Sequence, residues 1–206
     1  MPYVESAVRS RQVVAAARAV MMRAGVGGLT MRAVANEAQI PLGTLQYVYP
    51  TKLGLLHAVI EDVVEEIATV LRDSAELDAG LGHAISNGLR NFWSDLVIDH
   101  HALQLLQLEL VTHALRTPGL EDLPRWQYER YCQVVSDWCA MAAARADEVC
   151  AVPYSQLARV LVAGVDGLIV QHVVSPNSDH AADDVEALIQ MIVSLAAPQP
   201  RSTASA

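Results

Sequence analysis

The stretch LTMRAVANEAQIPLGTLQYVYPTKLGLL, Leu29 to Leu56, constrains this chain more than any other. Met31, Val34, Ala35 and Ala38 recur at i, i+3, i+4 and i+7, one apolar face at helical period. Thr30 precedes them where an N-cap belongs, its hydroxyl placed to accept from an orphan amide of the first turn. Ile40 and Pro41 close that helix, because Pro lacks a donor and biases its predecessor away from the helical region. A second short helix is expected from Leu42 to Val48. Leu45 is its inward residue, with Ile40 and Tyr49 packing at the two ends. Leu42, Thr44, Gln46 and Tyr47 then face outward, with Val48 at the margin. A short helix that presents its side chains from a scaffold has the form of a major-groove reader. A longer helix begins at Lys52.

The tokens T-x-R-x-V-A-x-x-A, a three-residue turn, and G-T-L-x-Y-x-Y-P-T-K-x-x-L-L span Thr30 to Leu56. Together they resemble the DNA-binding domain of the TetR (tetracycline-repressor-like) family of bacterial transcriptional regulators. The resemblance implies an all-α fold with a helix-turn-helix domain over residues 1–54. A larger helical ligand-binding and dimerisation domain follows over 55–197. It also implies DNA contacts from Thr30, Arg32, Leu42, Gly43, Thr44, Gln46, Tyr47 and Lys52, with Thr30 and Lys52 on phosphates. Three positions depart from the pattern. Gln39 stands where the turn usually has Gly, Pro41 replaces the polar cap of the second helix, and Gln46 replaces a common Tyr. A left-handed residue at 39 would carry strain that Gly avoids, and an amide at 46 can read a base edge.

Net charge is −9, which by itself disfavours nucleic acid. Its distribution reverses that. Residues 1–56 hold six cations (Arg9, Arg11, Arg18, Arg23, Arg32, Lys52) against Glu5 and Glu37, a net of +4 that leaves −13 for the remainder. A basic end on an acidic body favours one oriented DNA-facing surface. Arg18 and Arg23 have a plainer reading too, as the solvated face of a helix.

The remainder reads as helix. Residues 1–7 look like a loose arm, followed by a helix from Val8 to about Arg23 that Gly25, Gly27 and Gly28 end. Lys52 to about Arg72 carries one long apolar stripe, its acidic residues facing solvent. Further helices are expected over 81–99, 101–115, 124–147, 155–174 and 181–196, and a disordered tail over 198–206. The segment 157–174 is apolar on nearly every face, and 181–196 shows a second stripe. Two such helices from each of two chains would form a four-helix interface, and the resemblance implies the same homodimer. No window of about 18 or more apolar residues is recognised, so no membrane span is expected. No secretory signal is recognisable, and the three Cys form no CxxC pair, so a reduced cytoplasmic chain is expected.

All three Trp and the only Phe fall between residues 90 and 141. Aromatic and thioether groups with a few polar tips suit an apolar ligand cavity. Trp93, Gln107, His113, Trp138, Met141 and Asp166 are the candidate lining residues, and ordinary core packing is the competing reading for each. No nucleophile–base constellation, metal-ligand spacing or phosphate-binding loop is present, so neither catalysis nor a cofactor is expected. The chain therefore reads as a dimeric, ligand-responsive DNA-binding regulator, most simply a repressor released from operator DNA by a small apolar or aromatic effector. The alternative is an all-helical carrier or enzyme with an incidental N-terminal unit.

Overall fold

The computed structural model describes residues 2–73, 79–176 and 179–201. It is all-α: α1 Pro2–Ala24, α2 Met31–Glu37, α3 Leu42–Val48, α4 Lys52–Asp73, α5 Leu81–Trp93, α6 His101–Leu115, α7 Leu123–Arg145, α8 Tyr154–Val174 and α9 Ala181–Ala196. A π-helical segment, Ser94–Ile98, continues α5. Residues 2–7, expected as a loose arm, belong to α1. Pro2 occupies the first helical position, where its missing N–H has no intrahelical bond to lose.

The helices group into two compact units. The first comprises Met1–Glu65 with Ala102–Gln127, the second Glu66–His101 with Tyr128–Ala206. This grouping differs from a division at residue 54, because α6 packs with the N-terminal helices and the break falls inside α4.

In the first unit the apolar faces of α1 and α4 meet. Val13, Val14, Ala17, Val20 and Met21 are buried, as are Leu55, Leu56, Val59 and Ile60. Arg18 bonds Asp62 at 2.6 Å, so both leave the solvated roles their sequence positions propose. Gly25 ends α1 at φ +69°, a left-handed residue that Gly adopts without Cβ strain. The next amide, Val26 N, donates to Glu109 Oε1 of α6 at 2.9 Å.

In the second unit α5, α7, α8 and α9 enclose one core. Leu81, Ile85, Leu89, Cys139, Leu157 and Ile192 are among its fully or nearly fully buried members. Gly164 of α8 lets α9 approach: a Cβ there would lie 2.5 Å from Leu188 Cδ1. Gly80, at φ +99°, offers α5 no capping side chain, and Glu148 supplies the acceptor for Leu81 N at 2.7 Å. Glu148–Val149 (β1) pairs antiparallel with Gln199–Pro200 (β2). Gln199 and Pro200 were expected in a disordered tail; backbone pairing holds them, and Arg201 N also bonds Asp147 O at 2.7 Å. Residues 202–206 of that tail lie outside the described residues.

By length and composition α8 is apolar enough to cross a membrane, with a mean hydropathy of 1.6. The sequence reading missed this because Arg159, Asp166 and His172 interrupt the apolar run. Its apolarity has a packing role: Leu157, Ala158, Leu161, Val165 and Ile169 face the core.

Candidate functional site

The first unit presents the short helix α3 on a braced support. Thr30 caps α2 with extended backbone, its Oγ1 accepting from Ala33 N at 3.1 Å. The turn after α2 runs through Gln39 at φ +55°, so the position where Gly was expected is indeed left-handed. Ile40 N closes the turn onto Ala35 O at 3.0 Å. Pro41 then opens α3 with no side-chain cap. Leu45 is completely buried beneath α3. Two bonds from α1 fix the pair: Gln12 Nε2 donates to Ala38 O at 2.8 Å, and Ser10 Oγ meets Tyr49 OH at 2.6 Å.

On the opposite face Gly43, Gln46 and Tyr47 are exposed, Tyr47 to 89%. Leu42, Thr44 and Val48 are half-buried at the margins, and Thr30 and Arg32 are exposed. An 89% exposed Tyr fills no core within the protomer. Lys52 opens α4 just after Thr51, whose Oγ1 accepts from Gly54 N at 3.0 Å. Lys52 is half-buried, and loss of solvent around its ammonium lowers its pKa. A helix N-terminus carrying a partly desolvated cation is suited to an anion. Arg23 pairs with Glu37 at 2.8 Å. With Arg18 on Asp62, two of the six N-terminal cations thus serve the fold.

The six candidate lining residues divide between the units. Gln107 and His113 belong to α6 of the first. Gln107 Oε1 accepts from Gln127 Nε2 at 3.1 Å. Gln107 also borders a cavity of about 10 Å³ with Arg18, Met21, Val59, Ile60 and Leu106. That volume holds about one water molecule, not an effector. Trp93, Trp138, Met141 and Asp166 belong to the second unit. Trp93 and Trp138 are buried in its core. Met141 is exposed on α7, facing away from that core. Asp166 is largely buried and accepts a hydrogen bond from Tyr128; burial raises its pKa, and the bond opposes that shift. The Tyr128 hydroxyl is pushed up in turn, by burial first and by Asp166 second. Sequence reasoning passed over Tyr128, and no local signal marks it, because its partner lies on another helix.

Residues 13–59 match the family model described as bacterial regulatory proteins, tetR family. Residues 87–195 match the model described as tetracyclin repressor-like, C-terminal domain. The chain is 28% identical over 185 residues to the HTH-type nicotine-responsive transcriptional repressor HdnoR of Paenarthrobacter nicotinovorans, covering 88% of this chain and 92% of that one. The crystal structure of a TetR-family regulator from Rhodococcus sp. superposes with a TM-score of 0.74 at 20% identity, over 91% of this chain and 98% of that one. The multidrug binding protein EbrR, solved with malachite green, gives a TM-score of 0.63 at 26% identity, over 89% and 97% of the two chains. A second EbrR structure contains imidazole. The C-terminal match alone spans more than half of the residues, and with the helix-turn-helix match it shows that the chain belongs to the TetR family of DNA-binding transcriptional regulators.

Proposed function

We propose that this protein is a homodimeric cytoplasmic repressor that reads an operator through α3 and releases it when a small aromatic nitrogen compound enters its helical body. The observation that carries the DNA-reading role is α3 itself, seven residues long with Leu45 buried and Gln46 and Tyr47 presented outward. Gln46 has the geometry to bond adenine N6 and N7, and Thr44 a methyl to meet thymine. Lys52 at the head of α4, with Thr30 and Arg32 at the head of α2, supplies phosphate contacts. Leu42 and Gly43 let the start of α3 approach the groove.

The dimer reading rests on α8. Only 39% of its apolar window is buried within the protomer. Val160, Ala163, Gly167, Val170 and Val174 form an exposed stripe at helical spacing, and Met191 of α9 is exposed as well. Pairing such stripes across a two-fold axis would bury them, and two α3 helices that use successive major grooves would lie about 34–36 Å apart. The aromatic effector class follows the names of the relatives, one nicotine-responsive and one solved with malachite green and with imidazole. Trp93 and Trp138 are the aromatic groups that would meet it. The carrier or enzyme alternative leaves the outward face of α3 without a role.

The test is operator titration on a selected site. Lys52→Ala should weaken all sequences alike and flatten the salt dependence. Gln46→Ala should cost about 1–3 kcal/mol at one base position and relax preference there. If both variants keep affinity, preference and salt slope, α3 is not the reader.

A further inference from the structure

None of the seven residues of α3 carries a charge. A helix turns about 100° per residue, which sets Leu42 and Val48 about 60° from the buried Leu45 and Thr44 and Gln46 about 100° from it. Gly43 and Tyr47, one turn apart, lie about 160° from Leu45 and so share the centre of the outward face. The exposures follow that order: Leu42, Thr44 and Val48 are half-buried, and Gly43, Gln46 and Tyr47 are exposed.

Nothing inside the protomer asks for glycine at 43. Its backbone is helical and lies outside the left-handed region, and a Cβ built there meets nothing within 4 Å. Glycine weakens a helix relative to alanine, so this position forgoes stability and leaves an open space. Helical side chains lean back over the turn that precedes them, which directs the Tyr47 ring toward Gly43 without closing that space. The result is an uncharged notch, with glycine backbone as its floor and an aromatic ring as one wall.

The base edges of the major groove decide what such a notch can hold. Guanine presents two acceptors, and its commonest specific contact is a bidentate arginine or lysine; α3 has neither. Thymine presents a C5-methyl group, which is met by apolar contact. Carbon atoms pack best at about 3.5–4.0 Å, and the space at Gly43 is open to that distance. The exposed Arg32 and the half-buried Lys52 stand at the heads of α2 and α4, outside α3, where they suit the phosphates that position a reader.

We infer that the Gly43–Tyr47 notch receives the C5-methyl group of an operator pyrimidine, thymine in unmodified DNA or 5-methylcytosine where cytosine is methylated. This rests on the reading role of α3 proposed above and adds the chemical group that is read. Thr44 and Gln46, on the two flanks, meet the neighbouring base edges.

The probe is a duplex selected by the full-length protein from a random pool and titrated by fluorescence anisotropy. Deoxyuridine replaces each thymidine of a half-site in turn, which removes the methyl group and keeps the base pair. One position should lose about fourfold in affinity per half-site, the effect of one buried methyl-sized group. With cytosine at that position, 5-methylcytosine should bind more tightly than cytosine by a similar factor. Gly43→Ala should abolish the preference for thymidine over deoxyuridine and raise Tm, because its methyl meets nothing in the protein. Tyr47→Phe should keep the preference, and Tyr47→Ala should lose it. A wild-type protein indifferent to deoxyuridine at every thymidine overturns the notch. If Gln46→Ala still alters base preference in that case, the reading role of α3 survives; if it does not, both fall. Full thymidine preference in Gly43→Ala overturns the notch, as does equal affinity for cytosine and 5-methylcytosine. Equal weakening of thymidine and deoxyuridine duplexes by Tyr47→Phe, with the preference lost, makes Tyr47 a contact through its hydroxyl and overturns it too.

Discussion

Replacing Glu109 by Ala removes a single contact that joins α6 to the loop ahead of α2 and α3. The Glu109 carboxylate accepts from Val26 N at 2.9 Å. The adjoining Gly25 sits at φ +69°, where an added Cβ would lie 2.7 Å from the same oxygen. A hydrogen bond to a charged group contributes about 1.5–3 kcal/mol net, and this one is only part-buried, which favours about 1.5 kcal/mol. For a chain of 206 residues that corresponds to a fall in Tm of roughly 3–6 °C. Glu109→Gln keeps an acceptor but loses the charge, and neutral bonds are about half as strong. It should fall by roughly half as much. Thermal unfolding followed at 222 nm gives both values. A double-mutant cycle with Gly25→Ala checks the geometry: the penalty of the added methyl should shrink once the carboxylate is gone. An unchanged Tm in Glu109→Ala, or strict additivity in the cycle, would refute the latch.

Gly167→Leu should yield monomers by sedimentation velocity without loss of fold, because a Cβ at Gly167 meets nothing within 4 Å, whereas Gly164→Leu should lower Tm by striking Leu188; a Gly167→Leu dimer at micromolar concentration would count against the α8 stripe. Asp166→Asn should stabilise the protein at pH 7. Burial raises the Asp166 pKa above its unfolded value, so the native state holds its proton longer and stability falls as pH rises through that window. The gain from Asn should therefore vanish below about pH 4, and a gain that persists at pH 3 would contradict burial as the cause.

What the sequence makes legible is whatever repeats locally. Met31, Val34, Ala35 and Ala38 announce α2 by period, Thr30 announces its start, and the left-handed turn at Gln39 follows from where Gly is usual. The outward face of α3 follows by subtraction once Leu45 is inward. What stays hidden depends on partners far along the chain. Glu109 and Glu148 read as ordinary solvated acids, yet their partners Val26 and Leu81 lie 83 and 67 residues away. Arg18 gives no local sign of Asp62, nor Asp166 of Tyr128. The effector set shows the same limit. Aromatic content drew Gln107, His113 and Met141 into one group with the two tryptophans, and only packing separates an α6 crevice, an exposed thioether and a closed core. Gly164 and Gly167 look equivalent three residues apart, but one faces α9 of its own chain and the other faces outward.

The ion pairs within the first unit also limit how this protein can hold DNA. Six cations precede Leu56, and the field they produce looks generous beside a remainder of −13. Arg18 and Arg23 are already held by Asp62 and Glu37. Arg9, Arg11, Arg32 and Lys52 remain to meet phosphate. If all four in each protomer of a dimer did so, about eight counterions would be released, and log K would fall with log salt at a slope no steeper than roughly −7. Non-specific binding, which depends almost wholly on that release, should then be weak at physiological salt, leaving discrimination to Thr44, Gln46 and Tyr47. Fluorescence anisotropy across a salt series on specific and scrambled duplexes measures both slopes. A slope clearly beyond −7 would mean that Arg18 or Arg23 abandons its carboxylate on binding. In that case the Arg18–Asp62 pair, which ties α1 to α4, would be broken by the DNA itself, and Asp62→Asn should then strengthen operator binding instead of weakening the fold alone.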